Sequence, residues 1–128
     1  MTNIFEDFET GVTQEIIQTQ VHTFYGRIQD HEVLGPIFNA VIQDRWPEHL
    51  NKMCDFWSSI TLGSRRFEGN PAVAHMRHKT IRPEHFVMWL ALWEATAKEL
   101  FAEDIAQCFI QPAHRMGRNL SQMLFAQP

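Results

Sequence analysis

One stretch with residues that could do chemistry is Asn70-Pro71-Ala72-Val73-Ala74-His75-Met76-Arg77-His78, with Lys79 after it. Asn70 is a favourable helix N-cap and Pro71 suits the first helical position, so a short helix is predicted to open there with His75 one turn in. Val73 and Met76 give His75 apolar neighbours, and Arg77, His78 and Lys79 add a cationic end. A histidine between an apolar wall and a basic edge suits a flat, greasy group carrying carboxylates, such as an iron tetrapyrrole, for which imidazole is a common axial ligand. The same residues also describe a half-buried histidine on a short amphipathic helix. This stretch alone does not separate the two.

Three further rings have a polar edge to offer. His49 lies on a predicted helix with Met53 and Phe56 one and two turns on, so it is either a rim histidine half in solvent or a donor or gate over a pocket. Tyr25 either packs its ring and ties off its hydroxyl on a neighbour or donates to a bound ligand. Trp89 reads as core, except that its indole N–H can donate. Rival chemistries find less support. None of the seven histidines has a glutamate three positions earlier, as a di-iron carboxylate bundle requires. His75 and His78 could share a zinc, but no third ligand is evident. The chain has no Gly-x-Ser-x-Gly and no phosphate loop. It also lacks Cys-x-x-Cys-His, so any haem would be held non-covalently.

Such side chains need elements to hold them. Thr13 is a predicted N-cap with Glu15 in the first turn, and Ile17, Val21, Phe24 and Ile28 then fall on one helical face. Gly35-Pro36 is predicted to break the chain before a short apolar element, Ile37 to Ile42. A helix follows with Pro47 in its first turn and apolar stripes Trp46-Leu50-Met53-Trp57-Ile60 and His49-Met53-Phe56-Ile60, stopped by Gly63. Pro83 opens another, which buries Phe86, Trp89, Leu90, Trp93, Ala97 and Leu100. The last runs from about Glu103 to Phe125 on Ile105, Phe109, Met116, Leu120, Met123 and Leu124, with Pro112 predicted to kink or interrupt it. No segment alternates with period two, so the fold class is all-α.

The chain has 128 residues, which suits one domain over 1–128 with a lead-in at 1–12. A net charge of −4 gives no basic footprint for nucleic acid. No apolar run is long enough to span a membrane and no signal-peptide pattern opens the chain, so a cytoplasmic setting is expected, with Cys54 and Cys108 as thiols. Ten phenylalanines and four tryptophans stand against one tyrosine, an aromatic load that fills a core or lines a pocket for a large flat ligand.

In order, Phe24-Tyr25, Leu34-Gly35-Pro36-Ile37-Phe38, Trp46-Pro47-Glu48-His49, Phe56-Trp57, His75 and Phe86-Val87-Met88-Trp89-Leu90 resemble a truncated haemoglobin of the third group, over about residues 13–125. The resemblance implies a two-over-two helical sandwich, with helices around 13–29 and 47–62 facing those around 83–101 and 103–125. It implies haem b with His75 as the proximal ligand to iron. Tyr25, His49 and Trp89 would line the distal side, Phe38 would stack on the ring, and Met53 and Phe56 would complete the apolar wall. Phe24, Trp57, Phe86 and Trp93 would be core or pocket lining. Lys52 is the candidate propionate contact, with Arg65, Arg66, Arg77 and Arg82 as competitors. Such a protein would bind O2, CO and NO, for oxygen binding or transport, as a monomer or weak homo-oligomer. Three distal polar groups would also suit NO dioxygenase or peroxidase-like chemistry, with electrons from a separate reductase. The alternative is a haem-free helical interaction or sensor domain.

Overall fold

The structure, a computed structural model, describes residues 11–63 and 81–125. These form five α-helices: α1 (Gln14–Asp30), α2 (Leu34–Ile42), α3 (Trp46–Leu62), α4 (Pro83–Leu100) and α5 (Glu103–Phe125). No strand occurs among the described residues. The helix starts and stops are largely those the capping residues dictate. Thr13 accepts from the Ile16 amide at 3.2 Å and caps α1. Pro47 and Pro83 sit in the first turns of α3 and α4. Gly63 ends α3 in the left-handed conformation at φ 66°. The predicted face of α1, Ile17, Val21, Phe24 and Ile28, is fully buried.

The break after α1 is not at Gly35-Pro36 but earlier, at His31. Its Nδ1 accepts from the amides of Val33 and Leu34 at 3.1 and 3.0 Å and so caps α2 with a side chain that is no usual N-cap. Gly35 and Pro36 then lie in the first turn of α2, where the missing proline N–H needs no partner. Gly35 permits a close approach: a Cβ there would stand 2.6 Å from the Gln29 carbonyl oxygen at the end of α1.

Helix α5 runs unbroken through Pro112, so the expected interruption does not occur. Packing on α4 holds it. Trp93 donates its indole N–H to the Phe109 carbonyl at 3.0 Å, which ties this part of α5 to α4. The buried face of α5 is richer in small residues than its large apolar residues suggest: Ala106, Ala113 and Gly117 join Phe109, Ile110 and Leu120. A Cβ on Gly117 would meet Leu90 at 2.9 Å, so the two helices lie close. Met123 and Ile60, predicted as apolar face positions, are 49% and 38% exposed because each sits in the last turn of its helix, with few neighbours left to cover it.

Helix α1 packs on α3 and α4 packs on α5, and the two pairs meet through α1 with α4 and α3 with α5, the arrangement of a two-over-two sandwich. Helix α2 bridges α1 and α4. Val12, in the lead-in, is already buried in the core. No disulfide joins Cys54 and Cys108. No described helix is long and apolar enough to cross a membrane.

Two glycines of this frame should respond in opposite senses. Gly35→Ala should destabilise by about 1–3 kcal/mol, the usual cost of forcing atoms into a filled space. Gly26 is exposed mid-helix with nothing near its absent Cβ, so Gly26→Ala should stabilise by roughly 0.5–1 kcal/mol. Urea denaturation of both variants beside the parent checks the pair.

Candidate functional site

The fully buried face of α1 carries Phe24 into the core, and Tyr25 follows it at the edge of that face, 4% exposed. The Tyr25 ring is met from three sides. Phe24 stands edge-on at 4.8 Å between centroids, Phe38 of α2 at 6.1 Å, and His49 of α3 edge-on at 5.0 Å. Trp46, one turn before His49, closes the gap at 5.9 Å from Tyr25 and 5.6 Å from His49. Its indole donates to the Asn39 side-chain oxygen at 3.1 Å, which ties the start of α3 to α2.

Trp89 of α4 reaches the same place, edge-on to Phe24 at 5.3 Å between centroids, and its indole acts on the Tyr25 phenol. An indole can only donate, so Tyr25 keeps its own proton to give elsewhere. Burial pushes the phenol far above its ordinary range, with Trp89 pulling slightly the other way, so Tyr25 stays protonated at any physiological pH.

His49 is the anomaly of this region. Its Nε2 is buried and has no hydrogen-bond partner among the described residues. Burial first, and then the charges of Lys52 and Arg45, lower its pKa to about 4, so the ring is neutral near pH 7. Leaving a buried polar atom unpaired costs on the order of 1–3 kcal/mol. A site that carries such an atom on an otherwise aromatic wall is suited to a ligand that supplies the missing partner. Phe38, Met53 and Phe56 are half-buried and pack against the core cluster, leaving part of each side chain open.

Tyr25, Phe38, His49 and Trp89, drawn from four different helices, thus come together in one cluster. Met53 and Phe56 lie on the same helix as His49, and Lys52 is exposed one turn on, acting on the imidazole through its charge. His75 and its neighbours 70–79 lie outside the described residues, as do Arg65 and Arg66. Arg82 is exposed at the start of α4, its backbone N–H donating to His85 Nδ1 at 3.0 Å. The site member that the sequence pattern leaves among general core residues is Trp46. Its signal is positional, one turn before His49 on the same helix.

The His49 arrangement has a measurable consequence. The native imidazole binds its proton only near pH 4, whereas an unfolded one does so near 6.5. In that window the unfolded state holds more protons, so stability falls as pH is lowered from about 6.5 towards 4 and is flat in this term below that. NMR titration of the His49 ring should show a midpoint near 4, and His49→Phe should lose this part of the pH dependence of unfolding. A midpoint near 6.5 would mean that the ring is solvated.

The chain is similar to the group 3 truncated hemoglobin ctb of Campylobacter jejuni, with 31% identity over 121 residues, 92% of this chain and 94% of that protein. It is similar in structure to the crystal structure of the group III truncated hemoglobin from Campylobacter jejuni, with a TM-score of 0.85 at 29% identity over 90% of this chain and 93% of the other. No family model matches the chain.

Proposed function

The chain belongs to the group 3 truncated haemoglobins, and on that premise we propose that it holds haem b non-covalently and binds O2, CO and NO. The observation that carries the proposal is the buried, unpartnered Nε2 of a neutral His49 beside a phenol whose proton is uncommitted. The donor set fits the group. Half-buried Phe38, Met53 and Phe56 suit an apolar ring, and Lys52, with Arg45 beside His49, offers cationic partners to its carboxylates. His75 would be the axial ligand, as the resemblance implies.

When bound, haem would supply an iron able to take a diatomic ligand. The protein's part is positioning and polarity. Tyr25 would donate its O–H to a bound ligand, with the Trp89 indole beside it. His49 Nε2 offers a second polar contact without introducing a charge. The aromatic wall excludes water, which makes each of these bonds worth more than it would be in solvent. Donors placed where negative charge develops on a ligand are also what oxidative or peroxidase-like chemistry needs, so detoxification of reactive nitrogen or oxygen species, fed by a separate reductase, is the enzymatic form of the proposal. We place the protein in the cytoplasm, as a single domain.

The test is the visible spectrum of the purified chain titrated with hemin, ferric and then reduced under CO, beside His75→Ala. A sharp Soret band at one equivalent that shifts with CO, and is lost or altered in the variant, is expected. A flat spectrum would make the chain a haem-free helical interaction domain. In the haem-loaded protein, Tyr25→Phe should speed O2 release about tenfold, corresponding to the loss of one hydrogen bond of about 1–1.5 kcal/mol. Trp89→Phe should give a smaller acceleration, because it acts through Tyr25. Stopped-flow displacement of O2 measures both.

A further inference from the structure

Four tryptophans and one tyrosine are the oxidisable rings of this chain, and all five touch in one unbroken series. Trp46 meets Tyr25 at 5.9 Å between centroids, and Trp89 lies close enough to act on the Tyr25 phenol. Trp89 stacks on Trp93 at 5.5 Å with 8° between planes, and Trp93 stacks on Trp57 at 4.6 Å with 24°. A core needs bulk, which phenylalanine supplies equally well and which the chain uses freely elsewhere. Indoles and phenols are, in addition, the side chains most readily oxidised by one electron, and electrons pass readily between rings in contact.

The protons distinguish the members of the series. Trp93 is fully buried and its N–H is held by a backbone carbonyl, which is no base, so a radical there cannot shed its proton. Trp89 lies beside the Tyr25 phenol. Trp46 is only half-buried, and its N–H meets the Asn39 amide at the exposed surface, where water can take the proton. Trp46 is therefore the member through which an oxidant at the surface can act, and Tyr25 is the ring it touches next.

We propose that Tyr25 is a one-electron redox residue, connected through the contacting indoles of Trp46 and Trp89 to radical oxidants at the protein surface. The oxidant, a nitrogen- or oxygen-centred radical, takes one electron from the Trp46 indole and is reduced to its anion, and the Nε1 proton leaves to water. The indolyl radical then takes one electron from the Tyr25 phenol. Tyr25 loses its O–H proton and Trp46 regains one at Nε1, so that one O–H bond breaks, one N–H bond forms and a phenoxyl is left. The Trp89 N–H beside it can donate to the phenoxyl oxygen and stabilise it. Nothing in this sequence of steps uses the cofactor.

Pulse radiolysis of the purified full chain with azide radicals, followed by rapid-freeze EPR, tests it. Azide radicals oxidise indoles by one electron. The indolyl signal is expected to give way to a phenoxyl signal in a first-order process whose rate does not depend on protein concentration. Because Tyr25 is the only tyrosine, that phenoxyl has one possible origin. Trp46→Phe should lose most of this phase, and Tyr25→Phe should abolish it and prolong the indolyl radical. Absence of a phenoxyl, or a rate that scales with protein concentration, would overturn the proposal. So would a phase left unchanged in the double variant Trp46→Phe, Trp89→Phe. The concentration series on the unmodified chain decides by itself if a variant fails to fold. Soret absorbance read on the same samples reports haem binding separately, so failure of the two readings can be told apart.

Discussion

Helix α4 crosses α1 on contacting rings, Trp89 and Trp93 edge-on to Phe24 at 5.3 and 4.9 Å between centroids, with Trp89 beside the Tyr25 phenol. Buried polar bonds hold the same crossing. Gln20 of α1 donates to the Trp93 carbonyl at 3.2 Å, and Trp93 passes its indole N–H on to Phe109 of α5. At the surface Arg27 reaches Thr96 at 3.1 Å and Glu99 at 2.9 Å, contacts that orient α1 on α4 but, being partly solvated, add little energy. Apolar burial supplies most of the driving force, while these few directional bonds select one packing from the many that a core of large rings would tolerate.

The side of the site borne by α3 is built on the opposite principle. There a polar atom is buried without satisfaction, and its ring is kept neutral by burial and by two nearby cations. Stability is given up at His49 and recovered in the surrounding aromatic contacts, as is usual where a protein keeps a group ready for a ligand. The pocket thus offers two polar edges of different kind: a phenol beside Trp89, and an imidazole whose Nε2 is unpartnered among the described residues.

The sequence carries some of this plainly. The spacing of Ile17, Val21, Phe24 and Ile28, the cap at Thr13, the glycine stop at residue 63 and the proline starts at 47 and 83 are local signals that tertiary packing did not override. Other features were not legible in the pattern. His31 as a cap is hidden because the Gly35-Pro36 pair after it is the stronger punctuation. The small residues on α5 carry little hydrophobic signal, although it is their smallness that lets α4 approach. Pro112 reads as a break, because the indole that serves the turn before it comes from another helix. The pairing of Tyr25 with Trp89 is a long-range contact that no periodicity encodes. It could be expected only from the ordered set of fragments resembling the family, which is also the sole basis for the role given to His75.

Tyr25, with Trp89 beside it, and neutral His49 present hydrogen-bonding polarity to a ligand in the pocket. The infrared stretch of carbon monoxide bound to the haem-loaded protein measures it most directly, because a donor near the ligand oxygen weakens the C–O bond. The account predicts a low frequency in the unmodified chain, a clear rise in Tyr25→Phe, and a smaller rise in Trp89→Phe and in His49→Leu. A frequency indifferent to all three changes would contradict it and would return these rings to the core as packing alone.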